Sequence, residues 1–356
     1  MKKIYKYRPL SDFLFKELLY QEIYFASYNE LNDPLDLFLR IDFSTHDIEA
    51  IEYLIYFMMK TQVYKFYENA DIPIVNKHWI SLYNNDKEKK DIIKSVKEKL
   101  DLFLKKEKNI WCDDIINIFE GILPENLVFD PNIFKEEIDR LTKKFLKSSY
   151  VSCFSETHNN FLMWSHYATK HSGICLEFNL NNDGLFPYER IHNRKMDVEK
   201  YKNRISEWDM KSHIYWDKLD KVFYQNDQPY INFYAFAPVF ENEYDCDLLG
   251  LSKSWTHKYA YELQSLFSCK TKSWEYENEW RAIEINFEKE KRPEERIRHY
   301  PIEALSAIYF GINTPEETKN RIYKMLYNKS HEIDFFEAEL NGTNVIDFRY
   351  WEYKEE

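Results

Sequence analysis

Apolar and polar positions alternate at the start of the chain, through Lys3, Ile4, Tyr5, Lys6, Tyr7 and Arg8, and this predicts a strand that Pro9 ends. Ser11 and Asp12 can cap a short helix whose apolar face includes Phe13, Leu14, Leu18 and Leu19. A second strand is predicted over 22–27, followed by a turn at Leu31-Asn32-Asp33-Pro34, where Asn and Asp side chains can bond the local backbone. Between 46 and 148 the period changes to that of helices. Ile48, Ile51, Leu54, Ile55, Met58 and Met59 share one helix face, and Ile92, Ile93, Val96, Leu100, Phe103 and Leu104 another. Phe134, Ile138, Leu141 and Phe145 mark a further helix, with Pro131 at its start.

Strand patterns return at 150–155 and 174–178, around a short helix at 163–168 that Gly173 is placed to stop. Residues 194–216 and 248–268 read as helical, and 221–224 as a short strand. A strand beginning in the stretch Trp274 to Arg281 runs on through Ala282, Ile283, Glu284 and Ile285. Another covers 307–311. Thr314-Pro315-Glu316-Glu317 predicts a capped helix start, and two strands near 332–338 and 344–350 close the chain. These elements describe an α+β protein with a mixed or antiparallel sheet core. Residues 1–45 and 149–356 form the core, and 46–148 a helical insertion or subdomain.

Composition narrows the function. With 356 residues, 44% of them hydrophobic, the chain can bury a substantial core. The net charge of −12 argues against a general nucleic-acid coat or a polybasic membrane binder. No apolar run approaches a membrane span, and the N-terminus lacks an apolar signal core. Five scattered cysteines without a C-x-x-C pair fit reduced thiols and a cytoplasmic location. Only six glycines are present, and no Gly-rich phosphate loop is among them.

Candidate chemistry gathers in two boxes. Glu277, Glu279 and Arg281 lie two residues apart, so on one strand they would project from one face. Such a group is either a polar site or a salt-bridged strand edge. Met163-Trp164-Ser165-His166-Tyr167-Ala168, with His171, is the second box. The five-residue spacing of His166 and His171 does not place both on one helix face, and no metal site is expected from the pair. Cys153 within an apolar strand reads as a buried small hydrophobe rather than a nucleophile.

The Tyr7-Arg8-Pro9 start, the segment from Phe25 to Pro34 and the Cys153-Phe154-Ser155 strand together resemble a bacterial family catalogued as domain of unknown function 2971. So do the Met163–Ala168 box with His171 and Gly173, and Lys270 with Trp274, Glu277, Glu279 and Arg281. The resemblance spans nearly the whole chain outside the helical block and implies no activity. The early basic residue, the central Ser155 strand and the late E-x-E also resemble ADP-ribosyltransferases. That likeness implies an ADP-ribosyltransferase-like core that consumes NAD, as a transferase or glycohydrolase, in a setting such as bacterial defence against phage or toxin action. It makes Glu279 the catalytic carboxylate and Glu277 the group orienting an unidentified macromolecular acceptor; His166, set in a short polar-aromatic segment, is a third catalytic candidate. Arg8, Ser155, Trp164, Tyr167, His171 and Arg281 would hold the nucleotide. Two other readings stand beside it. One is a non-catalytic sensor of a nucleotide or small ligand. The other is a nuclease gathering Mg²⁺ on Asp33, Asp36, Glu277 and Glu279. Four carboxylates around one point would favour metal, and Arg8 beside Glu279 would favour NAD.

Overall fold

The computed structural model describes residues 2–33, 36, 40–68, 81–82, 85–125, 127, 129–191, 212–227, 230–235, 267–286, 290–327, 332–340 and 346–354. Its centre is a nine-stranded sheet made of β1 (Lys3–Arg8), β2 (Ala26–Ser27), β3 (Ser149–Ser155), β4 (Ile174–Asn179), β5 (Asp220–Lys221), β6 (Glu279–Ile285), β7 (Leu305–Phe310), β8 (Asp334–Leu340) and β9 (Ile346–Tyr350). The order is β9-β8-β7-β4-β1-β3-β6-β5, with β2 also pairing β3. Only the β7–β8 pair is parallel, so the sheet is mixed and the protein is α+β. The first strand of the chain lies near the middle, with Tyr5 opposite both Ser155 and Glu177.

Side chains alternate across a sheet, so register decides which residues share a face. On one face lie Tyr5 and Tyr7 of β1, Cys153 and Ser155 of β3, Glu177 of β4, and Glu279 and Arg281 of β6. On the other lie Ile4, Lys6 and Arg8, then Ser152 and Phe154, then Trp280 and Ala282. That second face is covered by α1 (Asp12–Tyr20) and α2 (Glu316–Leu326), through Leu14, Leu18, Ile322 and Leu326. Ser11 caps α1 by accepting the Leu14 N–H. The expected apolar face of α1 holds only in part. Leu14 and Leu18 are buried, but Phe13 and Leu19 are exposed, because the sheet contacts a narrower stripe than the sequence offers.

Among the described residues of 48–147 lie the helices Ile48–Glu68, Asp86–Leu104, Cys112–Glu120 and Pro131–Lys147. Asn85 and Asp130 cap two of them, and Pro131 sits in the first turn as its fixed φ allows. Their apolar faces form one core that also takes in Val151 of β3 and packs against Ile283 and Ile285 of β6. These helices therefore cover the apolar half of the first sheet face. The polar half, with Ser155, Glu279 and Arg281, lies beyond them.

Several local expectations are corrected. The predicted strand at 22–27 is two: Glu22–Tyr24 pairs with Ile297–His299, whereas β2 pairs with β3. Residues 221–224 likewise divide between β5 and Phe223–Gln225, which runs parallel to Cys269–Thr271. Residues 212–216, read as helical, belong to strand Ser212–Lys218, paired with Gly184–Ile191. Most of the helix expected over 194–216, and nearly all of that over 248–268, lies outside the described residues. Thr314 does not cap α2. Pro315 is its N-cap, and the Thr314 hydroxyl donates to the Gly173 carbonyl at 2.8 Å. Gly173 is not the residue that stops the 163–168 helix. That helix ends in a run of left-handed residues, Thr169, Lys170 and His171. Gly173 is needed because a Cβ there would lie 2.3 Å from the Arg8 carbonyl oxygen.

Candidate functional site: a carboxylate cleft around Lys270

Glu277 and Glu279 do not leave one strand side by side. Residues Lys272–Glu277 form a 3-10 turn, Asn278 takes a left-handed conformation at φ 44°, and β6 starts only at Glu279. Asn tolerates this backbone because its short polar side chain relieves the steric cost. The bend is anchored from β3. Ser155 Oγ donates to the Glu277 carbonyl at 2.7 Å, and the Glu156 N–H donates to the Asn278 carbonyl at 2.9 Å. Glu277 thus comes from a turn and Glu279 from a strand, yet both reach the same buried ammonium.

That ammonium is Lys270, on the strand Cys269–Thr271. Its Nζ lies 2.8 Å from Glu277 Oε2, 3.4 Å from Glu279 Oε2 and 3.5 Å from Asp36 Oδ2. Arg281 stands behind it, fully buried. Its Nε and Nη2 hold the two oxygens of Glu279 at 2.7 and 3.2 Å, and Nη2 also meets Asp36 Oδ2 at 2.7 Å. Nη1 donates to the Phe267 carbonyl at 2.9 Å. Tyr167 donates its hydroxyl to Glu277 Oε1 and accepts from Asn32 Nδ2 at 2.9 Å.

The two glutamates are driven in opposite directions. For Glu279, burial alone would raise its proton affinity. Arg281 and then Lys270 overcome this and hold the carboxyl at about 2. Glu277 goes the other way: burial raises it, the nearby Glu279 charge adds to that, and Lys270 offsets only part. Burial would lower the Lys270 affinity, but the surrounding carboxylates raise it above its ordinary value and keep it an ammonium.

Above this group opens a cleft with about 440 Å³ of space, continuous with solvent. Tyr5, Tyr7 and Tyr167 give it aromatic walls; Asn32, Asp36, Ser155, Lys270, Glu277 and Glu279 give it polar groups. Of the residues expected at a site, the cleft therefore gathers Glu277, Glu279, Ser155 and Tyr167, with Arg281 directly beneath. It does not gather the others. Arg8 lies on the opposite sheet face, paired with Glu17 of α1, with its Nε 2.9 Å from Glu17 Oε2. An NAD anchor at Arg8 beside Glu279 is thus excluded by the alternation of β1. Trp164 is fully buried and donates to the His158 carbonyl, which makes it core. His166, the third catalytic candidate, is exposed outside the cleft lining, its ring centroid 6.3 Å from that of Tyr276. His171, in the left-handed turn, packs tilted against Phe161 with ring centroids 4.5 Å apart, and burial lowers its proton affinity. Of the proposed Mg²⁺ ligands, Asp36, Glu277 and Glu279 do converge, but on Lys270 and Arg281. Asp33 does not line the cleft, and no metal-holding group of three ligands exists among the described residues.

Three participants, Lys270, Tyr5 and Tyr7, have no role assigned from the sequence. Lys270 was visible only as part of a family box, and a lysine in a Lys-rich stretch carries no sign of burial. Tyr5 and Tyr7 were readable as strand residues facing one way, but not as walls. Asp36 enters the sequence reading as a candidate Mg²⁺ ligand.

Fold and site together define an α+β protein with a solvent-open cleft built over a buried carboxylate–cation cluster. Residues 163–282 match the model of the family described as Protein of unknown function (DUF2971). The resemblance holds over that segment, which contains the 163–168 box, Lys270 and the Glu277–Arg281 group. The boxes at Arg8, 25–34 and 153–155 lie outside it. No curated protein and no solved structure matches the chain, and the comparisons lend no support to the likeness to ADP-ribosyltransferases. No described helix is long and apolar enough to cross a membrane.

Proposed function

We propose that the cleft binds a small nucleotide and cleaves its N-glycosidic bond, with NAD as the first substrate to test. The observation that supports this is the pair Glu277 and Glu279, adjoining one ammonium with proton affinities pushed apart. Environments that separate two carboxyls in this way suit them to different roles. Glu279, held ionised, would be the fixed negative charge facing a ribosyl cation as the bond from C1′ to the ring nitrogen breaks. Neutral nicotinamide leaves with the bonding electron pair. Water, or an acceptor hydroxyl, bonds to C1′ and passes its proton to Glu277, whose raised affinity makes it a better base than an ordinary carboxylate. Tyr167 would hold Glu277 in place. A bacterial defence or toxin effector that depletes NAD would use this chemistry.

The test is nicotinamide release by wild-type protein, with and without cell lysate as a source of acceptor, read beside melting curves. Glu277→Gln and Glu279→Gln should each lower the rate by about 10²-fold or more while NAD binding changes much less. Wild-type protein that neither binds NAD nor releases nicotinamide would overturn the reading. A second reading, a non-catalytic ligand sensor, draws on one observation. All four oxygens of Glu277 and Glu279 are already hydrogen-bonded, as in a structural network. Ligand binding that raises the melting temperature without turnover would favour it.

A further inference from the structure

We propose that the cleft selects a small organic cation bearing N–H groups, an ammonium, amidinium or guanidinium, and seats it against Asp36. The inference rests on the cleft being a ligand site, and not on its being catalytic. Its basis is an imbalance of both hydrogen bonds and charge. Asp36 Oδ2 is committed to Arg281 and Lys270, but Asp36 Oδ1 is buried and has no hydrogen-bond partner among the described residues. The carboxylate is 2% exposed, and the residue lines the cleft. A buried acceptor left unpaired is costly, and more so when it is charged.

Each side-chain donor group of the cleft already makes a hydrogen bond within the protein. Asn32 Nδ2 donates to Tyr167, Tyr167 to Glu277, Tyr7 to the Thr157 carbonyl at 2.9 Å, and Ser155 to the Glu277 carbonyl. Lys270 is taken up by its three carboxylates, and Tyr5 is hydrogen-bonded to Glu177. The buried lining group left without a partner is an acceptor, so an occupant that meets it must donate. Charge points the same way. Three carboxylates, Asp36, Glu277 and Glu279, meet two cations, Lys270 and Arg281. One further positive charge would balance them. The ring faces of Tyr5, Tyr7 and Tyr167 suit a cation, since an aromatic face is its negative pole.

Four probes of one shape separate the contributions: benzamidine, a cation with N–H donors; benzamide, a neutral donor; trimethylbenzylammonium, a cation without N–H; and benzoate. Isothermal titration of wild-type protein should show benzamidine binding about tenfold or more tighter than each of the other three. Asp36→Asn, checked for an intact fold by its melting curve, should lose that preference. Equal affinity for benzamidine and benzamide, preference for benzoate, or no benzamidine binding at millimolar concentration would overturn the proposal. So would an unchanged preference in a folded Asp36→Asn variant. If that variant fails to fold, the wild-type series alone decides. Nicotinamide release without cation selectivity would sink this inference only; cation selectivity without release would sink only the catalytic reading.

Discussion

Two buried carboxylate clusters sit on the same face of the sheet, and Tyr5 stands between them. Around Glu177, 3% exposed, Ser306 Oγ donates at 2.7 Å and Tyr309 OH at 2.9 Å, Tyr5 adds a further hydroxyl, and Lys3 Nζ approaches to 2.7 Å. Burial would raise its proton affinity, but these hydrogen bonds hold it below the ordinary carboxylate value. His158 closes the cluster by stacking on Tyr309, with centroids 4.4 Å apart. Here one charge meets mainly neutral donors and one half-exposed lysine, and Glu177 is fully satisfied. Around Lys270 the charges are dense, they do not balance, and one carboxylate oxygen has no partner among the described residues. That cluster opens to a cleft, and the Glu177 residue does not line it. A buried carboxylate is thus not by itself a sign of function. Unsatisfied acceptors and opposed proton affinities beside open space are the better sign.

The largest test of this contrast is removal of a cation from each cluster. Arg281→Leu leaves Glu279 and Asp36 buried without their guanidinium and should cost about 3–5 kcal/mol of stability. Lys3→Met removes a half-exposed partner from a Glu177 that keeps its hydroxyl donors, and should cost under about 1 kcal/mol. Urea denaturation of both variants decides the matter. Similar losses would mean that the two clusters are the same kind of structural network.

A smaller effect should appear in the pH dependence of stability. Glu279 is held ionised to lower pH in the fold than in the unfolded chain. Its contribution is complete above its ordinary value of 4.5 and is lost as pH falls towards about 2. Glu277 has the opposite sign. Its folded-state affinity is raised, so stability falls as pH rises from 4.5 through the folded value. Glu279→Gln should therefore flatten the acid limb of the stability curve. Glu277→Gln should flatten the decline above 4.5; its amide oxygen can still accept from Lys270, but its NH₂ can no longer accept from Tyr167. Melting temperatures across pH read both slopes, and a shared sign in the two variants would show that the pair is not split.

The smallest effect is expected on the far face of the sheet. Arg8→Met breaks only the part-exposed pair with Glu17, so it should cost at most about 1 kcal/mol and leave both nicotinamide release and benzamidine binding unchanged. A selective loss of either function would return Arg8 to the site.

The amino-acid sequence by itself determined the local elements whose signals are short-ranged. Alternation specified β1, and Ser11 and Pro131 specified helix starts, because a cap, a first-turn proline or a two-residue period acts within one turn or one strand. The helical block was legible for the same reason. Splitting of the 22–27 strand was not, since its two halves pair with segments more than a hundred residues away. At the site, the sequence exposed Glu277, Glu279 and Arg281 as a group but misplaced the bend that separates the two glutamates, which depends on Ser155 and Glu156 of a distant strand. Arg8 and Tyr7 are adjacent in sequence, yet β-sheet alternation sends one to Glu17 and the other to the cleft wall. Only the tertiary structure could bring Lys270 and Asp36 to the same carboxylates. Electrostatic pairing depends on distance and burial in space, and neither is written in the spacing of residues along the chain.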